Sequence, residues 1–466
     1  MMSDKYDFDV AVIGAGPAGY VAGIRAAQLG ARACVVEKSE LGGVCTNVGC
    51  IPTKALWHSA RMLLQLDRAA EFGLDIPACE LNYAAVASRR DAIVKKLRGG
   101  VKALLRGKGV ELIQAVARFK DPHTLHLDGP DGERDVSARS IIIATGSRPV
   151  ELREAAFDHE VVVDSAGAVS ANELPESVVI VGGGYIGVEF AGIYAAFGVE
   201  VVVVEAMDRI LPGMDEDCAR QVAKSLKKLG VAMLTGVRLE SVSKDKGGVR
   251  AKLSNGQEVA GRRLLVCVGR RADCRGLDLE RAGLQAGEQG QLRVNEHMQT
   301  TQPHVYAAGD VVGHPMLAHA GSREGIVAAS HAAGSLTAAM DYRVVPACAF
   351  AFPEIGTVGL TGDEARKSVR EIVVKKFPLL ALGKAHILGE TDGFVKMLAD
   401  AKTGELVGVH ICGPEASSLI GEAALAMQLE CTAEELAETI HAHPTLPEAL
   451  QEAAEGLIGL PVNWRG

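Results

Sequence analysis

Two cysteines five residues apart carry the first chemistry in this chain. They stand in Gly42-Gly43-Val44-Cys45-Thr46-Asn47-Val48-Gly49-Cys50-Ile51-Pro52-Thr53-Lys54. A close pair of sulfurs can exchange electrons as dithiol and disulfide. A helix rises about 1.5 Å per residue, so positions i and i+5 lie more than about 7 Å apart along its axis. A disulfide needs Cα atoms within about 7 Å. A bridged Cys45–Cys50 therefore cannot lie on one regular helix. Asn47 and Gly49 tolerate turns and let the segment fold back. Pro52 favours a first helical turn, which places Cys50 near a helix N-terminus. The dipole there favours a thiolate. Cys50 is the candidate stabilised thiolate and Cys45 the more outlying sulfur. Spacing alone leaves equally open two buried structural thiols in a reducing compartment.

The elements around the pair set its context. The other cysteines, Cys34, Cys79, Cys218, Cys267, Cys274, Cys348, Cys412 and Cys431, are scattered and form neither a CxxC nor a zinc-like cluster. No metal site is expected. One close pair among free cysteines suits an intracellular, cytoplasmic protein better than a secreted disulfide framework. A chain of 466 residues suggests roughly three domains. Its 53 glycines suggest many tight strand-to-helix turns. A net charge of −9 gives no reason to expect nucleic-acid binding. The first strand is expected near Phe8, so Met1 to Asp7 leave no room for a signal or transit peptide. Val178 to Val204 is apolar enough to mimic a membrane span. Its glycines, Glu189 and Glu200 make strand, glycine turn, helix and strand the better reading, so no membrane is expected.

The chain also repeats itself. Asp9 to Ile13 leads into Gly14-Ala15-Gly16-Pro17-Ala18-Gly19. Ser177 to Val181 leads into Gly182-Gly183-Gly184-Tyr185-Ile186-Gly187. Each GxGxxG is followed by a helical pattern, a second apolar strand and an acid. Gly14 to Glu37 and Gly182 to Glu205 are both 23 residues. The glycines let backbone approach a pyrophosphate, the helix N-terminus faces its charge, and the acid binds ribose hydroxyls. Two dinucleotide sites follow. Glu205 would repel a 2′-phosphate, and Ala206-Met207-Asp208 offers no immediate arginine, so the second site reads as NAD rather than NADP. Arg209 is expected to pair with Asp208 or Asp215. Ser140 to Gly146 and Val305 to Asp310 read as further buried strands ending in polar turns. Thr445-x-x-Glu448 with Pro447 reads as a helix-capping box before Glu448 to Ala453.

Over essentially its whole length the chain resembles the two-dinucleotide flavoprotein disulfide reductases. The resemblance rests on both fingerprints with Glu37 and Glu205, on Gly42 to Lys54, and on Ala144-Thr145-Gly146. It continues through Glu189, Gly269-Arg270, Gly309-Asp310 and His441-Ala442-His443-Pro444-Thr445-Leu446-Pro447-Glu448. Within that family it is most similar to members that oxidise dihydrolipoamide with NAD+. The resemblance implies an α/β chain with two Rossmann-like domains, for FAD and NAD, and a C-terminal α+β dimerisation domain. The implied boundaries are 1–149 for FAD, 150–275 for NAD, 276–345 completing the FAD domain, and 346–466 for the interface.

FAD would bind over Gly14, Gly16 and Gly19, with Glu37 on the adenosine ribose. Thr145 and Gly146 would flank it, Asp310 would meet the ribityl chain, and Ala318 the flavin ring. Lys54 would lie by the flavin, paired with Glu189. NAD would bind over Gly182, Gly184 and Gly187, with Glu205 on its ribose and Gly269-Arg270 beside it. His443 would accept a thiol proton, oriented by Glu448, at the disulfide of the other subunit, which implies a homodimer. The implied partners are a lipoylated domain on another chain and the acyltransferase core of a 2-oxoacid dehydrogenase complex, or a glycine cleavage system. The chain departs from the commoner family pattern at Val44, Thr53 and Ala272-Asp273. The alternatives are a glutathione-type reductase and a docking subunit. Ala449 stands where glutathione-type reductases usually carry a second Glu. No cysteine follows Cys431, as mercuric and large thioredoxin reductases would need.

Overall fold

The 23-residue spacing of the two fingerprints is a strand register. In the computed structural model β1 (Phe8–Ile13) runs parallel to β2 (Ala33–Glu37), with Val10 opposite Ala33 and Ile13 opposite Val36. Ser177–Val181 runs parallel to Glu200–Glu205, with Ser177 opposite Glu200 and Val181 opposite Val204. Both pairs are offset by 23 residues (33 − 10 and 200 − 177). Each acid therefore falls one step past the paired strands, beside its glycine loop. The structure describes residues 5–76, 79–245, 247–313, 315–335 and 339–464. Residues 1–4 of the N-terminal segment and 465–466 of the tail lie outside them.

Steric contact explains the glycines. Gly14 has φ +100° and Gly182 has φ +106°. A Cβ at either would meet a carbonyl oxygen at 2.4 Å, from Ala144 and Cys267 respectively. A Cβ at Gly19 or Gly187 would lie 1.9 Å from the carbonyl oxygen of Gly14 or Gly182. In each fingerprint the third glycine thus lets the helix, α1 (Pro17–Gln28) or Tyr185–Ala196, close onto its own loop.

Each unit grows outward from its strand pair. In the first sheet the long strand Gly132–Ile143 serves twice. Its first half pairs antiparallel with Thr124–Gly129, and its second half pairs parallel with β1. Val305–Ala307 returns much later in the chain to pair parallel with the same strand. The second sheet holds five parallel strands in the order Ala232–Thr235, Glu200–Glu205, Ser177–Val181, Arg263–Val266, Val162–Val163. Parallel strands are covered on both faces, which explains runs such as Val178 to Val181 that lack alternation. The stretch that mimicked a membrane span is this strand, helix and strand. Among the described residues no helix is long and apolar enough to cross a membrane.

A third sheet is antiparallel. Its order is Ala347–Ala349, Ile355–Gly359, Leu406–Cys412, Phe394–Asp400, Ile372–Pro378. Phe394–Asp400 and Leu406–Cys412 are buried along their full length. An ionic joint ties this sheet to the second unit. Lys396 Nζ lies 2.8 Å from Asp215 Oδ2 and 2.9 Å from Asp217 Oδ2. Burial alone would discharge Lys396, but the two carboxylates hold its ammonium above the ordinary range.

Removing one partner of a buried pair leaves the other charge uncompensated. Lys396→Met is expected to cost about 3–5 kcal/mol in chemical denaturation, because Asp215 is only 1% exposed. A loss under about 1 kcal/mol would show that the joint behaves as a surface pair.

Candidate active site

A chain reversal sets the two sulfurs. Cys45 lies on α2 (Gly43–Val48), and Cys50 is the first residue of α3 (Cys50–Leu66). Gly49 separates the helices at φ −135° and ψ −114°. A Cβ there would sit 2.9 Å from the Val44 carbonyl oxygen, so the reversal excludes a larger residue. Pro52 occupies the first turn of α3, where its missing N–H costs no helical bond. Thr53 Oγ1 donates to the Gly49 carbonyl at 2.7 Å, a bond the commoner Ser could also make.

The sulfurs are unequal. Both are thiols in the structure. The Cys45 thiol donates to the Cys50 sulfur. That bond, opposed by burial and aided by the Lys54 ammonium, lowers Cys50 to about 7. The same bond, together with burial, pushes Cys45 far up.

Lys54 follows Cys50 by four residues, so one helical turn brings its charge to the same face. Its Nζ donates to Glu189 Oε1 at 2.9 Å and Oε2 at 2.8 Å. Glu189 is 5% exposed on the apolar helix Tyr185–Ala196. The backbone N–H of Phe350 donates to Glu189 Oε1 at 3.0 Å, and the Phe350 ring centre lies 4.7 Å from Lys54 Nζ. Phe350 carries no sequence signal for this role, because its contribution is a backbone amide and a ring face.

One cavity of about 1920 Å³ joins both glycine loops to the sulfurs. A single small-molecule site is typically about 300–1,000 Å³, so this volume suits two dinucleotides meeting end to end. Cys45, Cys50, Lys54 and Glu189 line it, with Gly14, Gly16, Glu37, Thr145, Gly146, Asp310 and Ala318 on the side of the first unit. Gly182, Gly184, Glu205, Gly269 and Arg270 line the other side. Gly19 and Gly187 do not line it; they serve the close packing described above.

The lining fits dinucleotides. Neither α1 nor Tyr185–Ala196 has a side-chain cap at its N-terminus, which leaves backbone donors for a pyrophosphate. Glu37 accepts the Ala15 amide at 2.7 Å and the Ser39 amide at 2.8 Å. Glu205 accepts the Gly183 amide at 2.6 Å and the Met207 amide at 2.7 Å. These bonds fix both carboxylates and leave lone pairs for ribose hydroxyls. Thr145 Oγ1 is buried without a partner. An orphaned hydroxyl on such a wall suits a polar ligand.

Arg209 pairs differently from expectation, while Arg270 keeps its place on the cavity wall. Arg209 does not pair with Asp208 or Asp215. Its Nη2 donates to Asp363 Oδ2 at 2.9 Å, on the third sheet's side of the chain. Lys396 and the Gly362 amide occupy Asp215 instead. Arg270, expected beside the second dinucleotide, donates to Ser147 Oγ at 2.7 Å and to the Ser147 carbonyl at 2.8 Å. Ser147 Oγ in turn donates to Asp310. Ser147 was not singled out, since a serine after a strand end has no distinguishing pattern.

The histidine segment lies apart from this cavity. His443 Nδ1 bonds Glu448 Oε1 at 2.7 Å, while Glu448 Oε2 accepts the Thr445 amide at 2.7 Å. Burial opposes ionisation of Glu448, but the Thr445 amide and the His443 ring hold its carboxyl below its usual value. Only half of the expected capping box forms. The helix Glu448–Leu457 starts at Glu448, and Thr445 Oγ1 donates back to Ala442. The His443 side chain is 76% exposed and does not line the cavity. His441 is committed elsewhere, with Nε2 on Glu422 at 2.7 Å and Nδ1 on the Thr439 carbonyl at 2.8 Å. Among the described residues no cluster could hold a metal ion.

Residues 8–325 match the pyridine nucleotide-disulphide oxidoreductase family, and residues 345–454 match its dimerisation domain. A dihydrolipoyl dehydrogenase of Thermus scotoductus is 44% identical over 97% of each chain. One from Geobacillus stearothermophilus is 41% identical over 97% of this chain and 96% of the relative. Among solved structures, LpdA from Mycobacterium tuberculosis superposes with a TM-score of 0.91 at 29% identity, covering 96% of this chain and 99% of its own. The HOCl-induced flavoprotein disulfide reductase RclA of Escherichia coli, as its copper(II) complex, gives 0.88 at 28% identity, covering 98% and 100%.

The unequal sulfurs can be measured directly. With the pair reduced, alkylation of Cys50 by iodoacetamide should slow as pH falls through about 7, the value to which the Cys45 thiol and Lys54 lower it. Cys45 should stay slow throughout. Cys45→Ala should move the Cys50 midpoint upward, and Cys45→Ser should move it less, because a hydroxyl still donates. Peptide-resolved mass spectrometry reads both sulfurs. A midpoint above about 8.5, the ordinary cysteine range, would remove the stabilised thiolate.

Proposed function

The chain belongs to the pyridine nucleotide-disulphide oxidoreductase family, and we propose that it oxidises protein-bound dihydrolipoamide to lipoamide with NAD+. One observation carries this reading: the unequal Cys45–Cys50 pair opens on a cavity that both glycine loops share. The names of the relatives in Thermus and Geobacillus supply the substrate class. A lipoylated domain on another chain, an acyltransferase core and a cytoplasmic location belong to the same proposal.

Each side chain has a task in the oxidised, disulfide form of the pair. His443 takes the proton of one substrate thiol, and the Glu448 carboxylate keeps the imidazole oriented and supports its charged form. The substrate thiolate attacks Cys45 Sγ, forming a mixed disulfide, and Cys50 leaves as a thiolate. A leaving sulfur of low pKa departs faster, and with Cys45 bonded to substrate it is the Lys54 ammonium that favours a Cys50 thiolate. The second substrate thiol attacks the first substrate sulfur and breaks its bond to Cys45; Cys45 leaves with the proton that His443 held, His443 takes that of the second thiol, lipoamide departs and the protein retains the electron pair. When bound, FAD would supply the two-electron chemistry that links the reduced cysteine pair to NAD+. Lys54 stabilises the Cys50 thiolate, and Glu189 holds the Lys54 ammonium in place. Glu37 and Glu205 receive the two riboses, Asp310 and Thr145 the polar chain of the first dinucleotide, and Ala318 leaves room for a ring. Gly269 and Arg270 close the far side.

The family's dimerisation domain spans residues 345–454, and a homodimer gives His443 a place to act. In one chain His443 is exposed and does not line the cavity. Ile440, three residues earlier, is 96% exposed, as a residue covered by a second copy would be. The proposal therefore takes His443 from one protomer and the sulfurs from its partner.

Steady-state rates decide between substrates. NAD+ with dihydrolipoamide should turn over far faster than NADPH with glutathione disulfide; the reverse order, or no turnover of dihydrolipoamide, rejects the reading. His443→Gln should lower kcat/KM by about 10²–10⁴-fold. Mixed dimers of His443→Gln and Cys50→Ser protomers should regain activity, because one of their two sites is intact. Mixed dimers as inactive as either parent would place His443 in its own protomer's site.

A further inference from the structure

The loop after Glu205 is held at both ends beside the acid. The Glu205 carboxylate accepts the Met207 amide at 2.7 Å. The Leu211 amide donates to the Gly183 carbonyl at 2.7 Å, and Gly183 donates its own amide to Glu205 at 2.6 Å. A Cβ placed on Gly183 would meet Ile210 Cγ2 at 3.0 Å and Glu205 Cβ at 3.2 Å. Arg209 lies between these anchors, so its backbone is within one arginine side chain of the ribose acid. Its guanidinium is nevertheless absent from the cavity wall, which Glu205, Ala206, Met207, Pro212 and Gly213 form.

Asp363 holds it elsewhere. Arg209 Nη2 donates to Asp363 Oδ2 at 2.9 Å, while Arg209 Nε is buried without a partner. Asp363 belongs to the short helix Gly362–Lys367, which precedes the edge strand of the third sheet. The neighbouring Gly362 amide donates to Asp215 Oδ2 at 2.9 Å, so that helix grips the same loop at two points. A planar, permanently charged guanidinium is the group that receives a 2′-phosphate in NADP-binding folds of this type.

We propose that Asp363 is a specificity residue for the second dinucleotide: it withdraws Arg209 from the adenosine ribose and so disfavours a 2′-phosphate, alongside the repulsion from Glu205. The cofactor choice of one unit is thereby set partly by a residue of another. This rests on the reading of the second fingerprint as an NAD site. The withdrawal costs little stability, since the two side chains are 30% and 31% exposed and such pairs contribute little. Released, Arg209 has two acids to choose from besides a phosphate. Glu216 is already paired with Arg220 at 2.5 Å. Asp208 is adjacent in the chain and carries one charge, against nearly two on a 2′-phosphate.

The test is a calorimetric titration of the oxidised FAD-loaded dimer with NAD+ and NADP+. In a Glu205→Ala background, Asp363→Asn should tighten NADP+ binding on the order of tenfold, the value of a hydrogen bond to a charged group, with NAD+ changed less than about twofold. Adding Arg209→Leu should abolish the gain, and Asp363→Ser should reproduce it if the Asn variant folds poorly. No gain in NADP+ binding from either Asp363 variant overturns the proposal. So does a gain that survives Arg209→Leu. Failure of the wild-type dimer to bind NAD+ would instead reject the reading of the site itself.

Discussion

A carboxylate buried in an apolar helix needs a cation, and Glu189 meets that need with Lys54 from the cysteine helix. Much of the arrangement depends on this pair. It brings the helix of the second dinucleotide unit against α3, so the two glycine loops open on one cavity. It holds an ammonium one turn from Cys50, where a positive charge favours a thiolate. The Phe350 amide completes the carboxylate's bonding, which fixes the start of the third sheet to the same point. Three sequentially distant segments therefore meet beside the two sulfurs.

The parts of the chain that repeat were the most legible. Two fingerprints with acids 23 residues on dictated two parallel strand pairs, and the register accounts for the spacing. The reversal between Cys45 and Cys50 was legible for a similar reason: five residues of helix are too long for the pair, and Gly49 was the available break. The thiolate assignment followed from Pro52, though the Cys45 thiol and Lys54 contribute more directly than the helix end. What was hidden lies in contacts between units. Ser147 bridges Arg270 and Asp310, and Asp363 captures Arg209, yet neither partner has a local pattern. Glu448 shows how one residue type can satisfy two readings. Its motif predicts a cap or a histidine partner, and separate oxygens serve the Thr445 amide and His443.

The histidine pair and the sulfurs lie apart within one chain. Cys50 stands on the cavity wall beside a cation, whereas His443 is displayed on an exposed segment with its carboxylate behind it. In the proposed dimer a second copy would cover Ile440 and bring the imidazole to the cavity, which it does not line from its own protomer. Charge is handled with the same economy. Buried Lys396 and Asp215 join two units, Asp363 draws off an arginine, and the ribose acids are held by backbone amides.

The central claim is that Cys45 and Cys50 form the relay between a dithiol and the dinucleotides. The most direct measurement is peptide-resolved thiol counting of the FAD-loaded protein before and after one equivalent of NADH, without oxygen. The account predicts that Cys45 and Cys50 resist alkylation beforehand, as a disulfide, and that after NADH Cys50 becomes alkylated quickly and Cys45 slowly, while the other cysteines do not change. Alkylation of Cys45 and Cys50 that is indifferent to NADH would contradict it.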